Sequence, residues 1–163
     1  MIADTRYSLT RSREDFCILS NQEKKNINRR CEEAVFTAKL EMKHEINKEH
    51  FRHQQRLSML KPVKERAKSA QYYLIKNDPL NQEAINRAME DMDAVMDEIN
   101  AEKAFHMDNI AEIEVRYNEK IKTIRIECDK ALKLESDNLM GKLNELDYRM
   151  NVLILKGGND DAK

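Results

Sequence analysis

Apolar residues recur every three or four positions along most of the chain, and this spacing predicts α-helix. One stripe lies in the first half of the sequence and comprises Ile27, Cys31, Ala34, Ala38, Met42, Leu60, Val63, Ala67, Ala70 and Leu74. A second stripe lies in the second half and comprises Ile85, Met89, Met92, Met96, Ile99, Ile110, Ile113, Tyr117, Ile121, Ile124 and Cys128. The pattern therefore predicts two long amphipathic helices.

Local signals predict the bounds of the first helix. Ser20 followed by Glu23 is a capping box, in which each side chain bonds a free backbone amide of the other residue. This predicts a first helix over residues 21–76, with a kink at Pro62. Residues 1–19 show no comparable pattern, so we expect an irregular or extended N-terminal segment.

The second helix has its own start and stop signals. Asp78 can cap a helix, and Pro79 suits a first turn because its missing amide costs nothing there. We therefore expect a second helix over residues 79–156, with a possible break near residues 135–141. Two glycines follow and favour a stop, so residues 157–163 are predicted to be a disordered tail.

Folding the chain at residues 77–79 makes the numbers of facing positions sum to about 156, which places Leu60 opposite Met96. The same fold brings two polar interruptions of the stripes to the same level. The interruptions form a predicted polar register layer of Glu49, His53, Lys103 and His106. Charge supports the pairing, because residues 39–68 hold nine basic and four acidic groups while residues 88–117 hold two and nine. Such flanking charges set pairing orientation in coiled coils. The sequence thus predicts an all-α fold, a long antiparallel coiled-coil helical hairpin over residues 20–156.

This register leaves residues 136–156 as a C-terminal helical overhang with no partner inside the hairpin. The overhang carries an apolar stripe of Leu139, Leu143, Leu146, Met150 and Leu153. Three partners are open to it: residues 7–19, a fold-back at Ser136, or another subunit. We prefer self-association, which makes this stripe the predicted partner or oligomer interface and the chain a homo-oligomer.

Composition limits the chemistry. Charged residues make up 36% of the chain and there are only three glycines, so no glycine-rich phosphate loop or nucleophile elbow can be written. His50 and His53 could share a metal ion with His106, and Glu41 with His44 matches one element of a di-iron bundle that needs a second such element. A hydrated polar layer explains these side chains better. We therefore expect no enzyme activity, no cofactor and no metal.

Cys17, Cys31 and Cys128 are odd in number and scattered, which is typical of thiols packed in a reducing compartment. No apolar run is long enough for a signal peptide or a membrane span. We therefore expect a cytoplasmic structural or interaction protein, a coiled-coil scaffold, adaptor or assembly factor with protein partners. The alternative is a helical protein that binds nucleic acid through the basic stretch 39–68.

Overall fold

The chain folds into two long helices that pack against each other. The computed structural model describes residues 2–160, in which α1 is Ile2–Asn77 and α2 is Gln82–Asp160. No strand occurs between residues 2 and 160. The predicted all-α helical hairpin is confirmed.

The N-terminal segment differs from the sequence prediction. Residues 1–19 were expected to be irregular, but α1 already begins at Ile2. Ser20 does not cap a helix; it lies inside α1, is 4% exposed, and its hydroxyl has no hydrogen-bond partner among the described residues. No glycine or proline interrupts residues 2–61, so packing of an amphipathic face can carry the helix past a local capping signal.

The predicted interruptions do not end either helix. α1 continues through Pro62, and α2 continues without a break through residues 135–141. Gly141 lies inside α2, where a glycine costs about 1 kcal/mol relative to alanine, too little to stop a packed helix. α2 also passes Gly157 and ends at Asp160, so the tail predicted from residue 157 is helical through residue 160. Residues 161–163 of that predicted tail lie outside the described residues.

A tight turn joins the helices. The amide of Asn81 donates to the carbonyl of Asp78 over 3.1 Å, and Pro79 occupies the second position of this turn, which its fixed φ favours. The side-chain Oδ1 of Asn81 accepts from the amide of Ala84 over 3.2 Å. Asn81 is therefore the cap of α2, three residues after the predicted cap Asp78.

The helices divide into two compact units, the first of which is Ala38–Glu119. Its core is a cluster of Leu60, Val95 and Ile99, with Leu57 and Met96 packed against it. Leu60 and Met96 are the pair that the predicted register places opposite each other. Alternation of three and four residues along both helices aligns these apolar groups on the shared face.

The second unit combines Met1–Thr37 with Lys120–Lys163. Ile121 and Leu146 are buried in it, with 7% and 5% of their surface exposed. Arg13 donates to Asp147 over 2.5 Å, so the beginning of α1 lies beside the end of α2. This unit contains the apolar stripe that the sequence left without a partner.

Candidate functional site

Two buried glutamates form the centre of a polar layer in the first unit. Glu49 on α1 and Glu102 on α2 are each 9% exposed. Arg52 bridges them, because its Nη2 donates to Glu49 Oε1 over 2.8 Å and to Glu102 Oε1 over 2.7 Å. Its Nε also donates to Glu49 Oε2 over 2.9 Å. One guanidinium thus joins a carboxylate from each helix, an arrangement suited to its rigid fork of donors.

Three histidines complete the layer. His53 Nδ1 lies 2.9 Å from Glu102 Oε1, and His106 Nδ1 lies 3.2 Å from Glu49 Oε1. The rings of His53 and His106 stack with centroids 4.0 Å apart. His50 Nδ1 lies 3.1 Å from the second nitrogen of His106, Nε2. Each carboxylate therefore has an imidazole partner beside the arginine.

The electrostatics of the layer hold both carboxylates ionised. Hydrogen bonds from Arg52, aided by Asn109 and His106, lower the pKa of Glu49 from 4.5 to about 2 against the cost of burial. Hydrogen bonds from Arg52 and then His53 also lower the pKa of Glu102. The pKa of Arg52 is raised in turn, chiefly by its bond to Glu49. At neutral pH, Glu49 and Glu102 are therefore both ionised, and both form ion pairs with Arg52.

This layer joins one carboxylate from each helix through a single arginine. Hydrogen bonds from Arg52 are the largest cause of the lowered pKa of both Glu49 and Glu102. Within residues 2–160, no group of three or more His, Cys, Asp or Glu side chains is arranged to hold a metal ion. The buried polar groups instead satisfy one another across the two helices, as register-setting polar positions do.

A second polar step lies further along the same unit. The hydroxyl of Tyr117, which is 8% exposed, donates to Glu45 Oε1 over 2.7 Å, and Arg116 forms an ion pair with the same carboxylate. The bond from Tyr117, followed by Arg116, lowers the pKa of Glu45. The same bond raises the pKa of Tyr117. This step also joins α1 to α2 through a side chain from each.

The structure brings together three of the four residues predicted for the register layer. Glu49, His53 and His106 lie in one network, whereas Lys103 is exposed and makes no hydrogen bond or ion pair among the described residues. The buried residue at this level of α2 is Glu102. A step of three residues from Ile99 along its stripe reaches Glu102, so the spacing held a signal for it.

The predicted interface stripe near the end of α2 is partly covered within the chain. Leu146 is buried, and the other four members, Leu139, Leu143, Met150 and Leu153, are half-buried. Phe16 and Leu19 of α1 line a groove together with Leu139 of this stripe, and Lys142 Nζ lies 5.4 Å from the Phe16 ring centroid. Of the three partners left open for residues 136–156, the N-terminal part of α1 is the one that contacts them within the chain. A role of the stripe in binding another subunit stays a prediction.

Two of the three cysteines are joined. Cys31 on α1 and Cys128 on α2 form a disulfide, with Cα atoms 6.2 Å apart and 97 positions apart in sequence. Cys17 is free and half-buried. The prediction of three separate packed thiols is therefore wrong for this pair. Both cysteines belong to predicted apolar stripes, which is why the fold brings them face to face.

The opposed charges of residues 39–68 and 88–117 form ion pairs only in part. Of the nine basic residues in the stretch 39–68, Arg52 and Arg56 form ion pairs with α2 within the described part of the chain. Arg56 pairs with Glu98 over 3.5 Å in an exposed position. Lys61, Lys64 and Lys68 lie in the same stretch and form no ion pair among the described residues. Much of this basic surface is consequently available to other molecules.

Comparison with family models, with curated proteins and with solved structures gives no match for this chain. No helix within residues 2–160 is both long and apolar enough to cross a membrane.

Proposed function

We propose that this chain is a non-enzymatic structural and interaction protein, a coiled-coil scaffold or adaptor that assembles or braces other proteins. The polar layer carries the proposal. Glu49 and Glu102 are buried and fully engaged by Arg52 and the histidines, so the most elaborate cluster of ionisable groups holds one helix against the other. This is the use expected of buried polar groups in a helical rod.

Exposed apolar groups beside the turn support a role in protein binding. Tyr72, Tyr73 and Ile75 near the end of α1 are 66%, 64% and 52% exposed, and Leu80 in the turn is 94% exposed. A cluster of exposed apolar side chains on the surface of a protein often marks an interaction site. Tyrosine is also enriched in the energetic centres of protein interfaces. The turn end of the first unit is thus a natural docking point for a protein partner.

The experiment that tests a scaffold is loss of association between its partners. The chain is tagged in its native cells, and proteins that co-purify are identified by mass spectrometry. A scaffold predicts that two of these proteins no longer co-purify with each other when the chain is depleted, and do so again when it is restored. Unchanged association between them after depletion contradicts the proposal.

The second candidate is nucleic-acid binding, favoured by the unpaired lysines of the stretch 39–68. Lys39 and Lys43 make no ion pair among the described residues, and the same holds for the lysines at 61, 64 and 68. Binding through phosphates weakens steeply with salt. Fluorescence anisotropy with a generic DNA duplex and a single-stranded RNA, between about 50 and 200 mM salt, tests this reading. No binding at the lower salt rejects it.

A cytoplasmic location is part of the proposal, and the Cys31–Cys128 disulfide gives a direct test of it. Disulfides are rare in reducing compartments, so in that location Cys31 and Cys128 would carry free thiols and form their bond on oxidation. Alkylation of thiols in intact cells, followed by peptide mapping, tests this. A Cys31–Cys128 bond that persists in unstressed cells contradicts a cytoplasmic location.

A further inference from the structure

Two oppositely charged stripes with the same spacing lie on the two helices of the first unit. The basic stripe of α1 comprises Lys61, Lys64 and Lys68, and the acidic stripe of α2 comprises Glu90, Asp93 and Asp97. In each stripe the steps are three and then four residues, so its members share one face of their helix. All are exposed except the half-buried Lys64. None of the six makes an ion pair or hydrogen bond among the described residues.

The two stripes lie at matching levels of the unit. Arg56 pairs with Glu98, and Leu60 lies in the cluster formed with Val95, Ile99 and Met96. Because the helices are antiparallel, counting by equal steps from Leu60 and Met96 places Lys61, Lys64 and Lys68 within two residues of the levels of Asp97, Asp93 and Glu90. Counting from Arg56 and Glu98 places them three or four residues, about one helical turn, from those levels. Opposite charges therefore lie at comparable levels of the two helices but form no ion pair within the described part of the chain.

We propose that these stripes form a self-association surface, in which the basic stripe of one copy pairs with the acidic stripe of a second copy. In a dimer whose two-fold axis runs parallel to the helices, both hairpins point in the same direction. α1 of one copy therefore lies antiparallel to α2 of the other. The levels that match within one chain then match between two chains. Both copies contribute both stripes, so each pairing occurs twice. This inference rests on the proposed scaffold function and specifies one of its contacts.

Charge complementarity selects a second copy over a polyanion. A nucleic acid lying along the lysines of α1 would also face the acidic stripe of the neighbouring helix, and the negative charges of the two would repel each other. A partner that fits this surface must present an acidic stripe to the lysines of α1 and a basic stripe to the carboxylates of α2. A second copy of the chain presents both stripes. Exposed ion pairs fix register and orientation more than they supply affinity.

Apolar groups beside the stripes supply contact area. Tyr72 follows Lys68 by four residues and is 66% exposed, and Met89 precedes Asp93 by four residues and is 46% exposed. Residues four apart lie on one helix face, so each apolar group extends its stripe towards the turn. Docking the stripes between two copies would remove these groups from water, which favours association.

Two charge-reversed variants test the surface. The acidic variant carries Lys61→Glu, Lys64→Glu and Lys68→Glu, and the basic variant carries Glu90→Lys, Asp93→Lys and Asp97→Lys. Sedimentation equilibrium should find the wild type dimeric. Each variant alone should associate at least about tenfold more weakly, because both of its stripes then carry one sign. An equimolar mixture should restore association as a heterodimer, and one chain carrying all six changes should dimerise with itself.

A matched control carries the same charge change elsewhere on α1, with Lys39→Glu, Lys43→Glu and Lys48→Glu. This control should dimerise like the wild type, and circular dichroism should find equal helicity in every variant. A monomeric wild type at tens of micromolar, or a mixture that fails to restore association, overturns the proposal. So does an acidic variant that loses duplex binding while its self-association is unchanged, since the lysines would then serve nucleic acid. The depletion experiment reports on the scaffold function separately and does not depend on dimerisation.

Discussion

Replacing Glu49 by glutamine tests whether the polar layer stabilises the fold. Glu49→Gln removes the buried charge that Arg52, Asn109 and His106 contact, while it keeps the size of the side chain. Arg52 then retains Glu102 as its carboxylate partner. The change therefore isolates one carboxylate of the network, and its expected effect can be worked from the pKa of that group.

The pKa of Glu49 lies at about 2, against an ordinary value of 4.5. Each tenfold change in proton affinity corresponds to about 1.4 kcal/mol, so this difference amounts to roughly 3 kcal/mol without screening. Water lies on both sides of a two-helix layer and screens its charges, so we expect Glu49→Gln to lower the free energy of unfolding by about 1–2 kcal/mol at pH 7. For a chain of this size, that corresponds to a fall in Tm of roughly 2–8 °C.

The same group predicts a pH dependence with a definite sign. The pKa of Glu49 is lower in the folded state than in the unfolded state, so ionised Glu49 stabilises the fold above pH 4.5. This stabilisation is lost as the pH falls from 4.5 towards 2. In that range the carboxylate takes up a proton in the unfolded state before it does so in the folded state, which favours unfolding. Glutamine cannot titrate. The stability gap between wild type and variant should therefore narrow over that window.

Urea unfolding followed by circular dichroism, at pH 7 and at about pH 3, measures this gap. Glu112→Gln is the matched control, because Glu112 is exposed on α2 of the same unit. The control should stay within about 0.5 kcal/mol of wild type at pH 7. A Glu49→Gln variant as stable as wild type at pH 7 would refute the reasoning. A gap of constant size down to pH 3 would refute it equally.

Three further predictions concern the helices of the second unit. Gly141→Ala should raise the free energy of unfolding by about 0.5–1 kcal/mol in urea unfolding, because an added Cβ meets nothing within 4 Å; a loss of stability would contradict this. Leu146→Ala should cost about 2–5 kcal/mol in the same assay, since Leu146 is 5% exposed, whereas Leu155→Ala, at a residue 72% exposed, should cost little. Reducing the Cys31–Cys128 bond should lower stability by about 2–4 kcal/mol, since it links distant positions; equal Tm with and without reductant would contradict its contribution.

The hairpin follows from the sequence because long-range pairing is encoded in redundant signals. Apolar stripes, a turn at Pro79, opposed charges and coincident polar gaps all agree on one alignment. Leu60 and Met96 lie in one cluster as this alignment requires. Errors at single positions do not shift such a register, since moving one helix by a turn would misplace every later pair.

Helix ends are encoded less redundantly. Ser20 and Glu23 have the form of a capping box, yet α1 passes through both residues. A cap contributes about 1 kcal/mol, so packing of the N-terminal segment against α2 decides the outcome. That packing involves residues more than a hundred positions away, as Arg13 and Asp147 illustrate. A local signal cannot report on it.

The polar layer was located from the sequence, but its bonding was not. Spacing identifies Glu49, His53 and His106 as seam positions, while the bridging role of Arg52 depends on its reach to Glu102. An arginine beside the seam can point to water or inwards, and the periodic pattern is the same for both. The Cys31–Cys128 bond is similar, because pairing needs the axial alignment of two distant turns.

The disulfide gives the chain a closed covalent path. Cys31 and Cys128 are 97 positions apart, and the turn between Asp78 and Asn81 lies within the segment they enclose. A protease that cuts the exposed turn, where Leu80 is 94% exposed, would open this ring without releasing either helix. The two fragments would travel together in non-reducing electrophoresis and separate once the sulfur bridge is reduced. While the bridge is intact, the oxidised protein can therefore lose its backbone connection at the turn and remain one molecule.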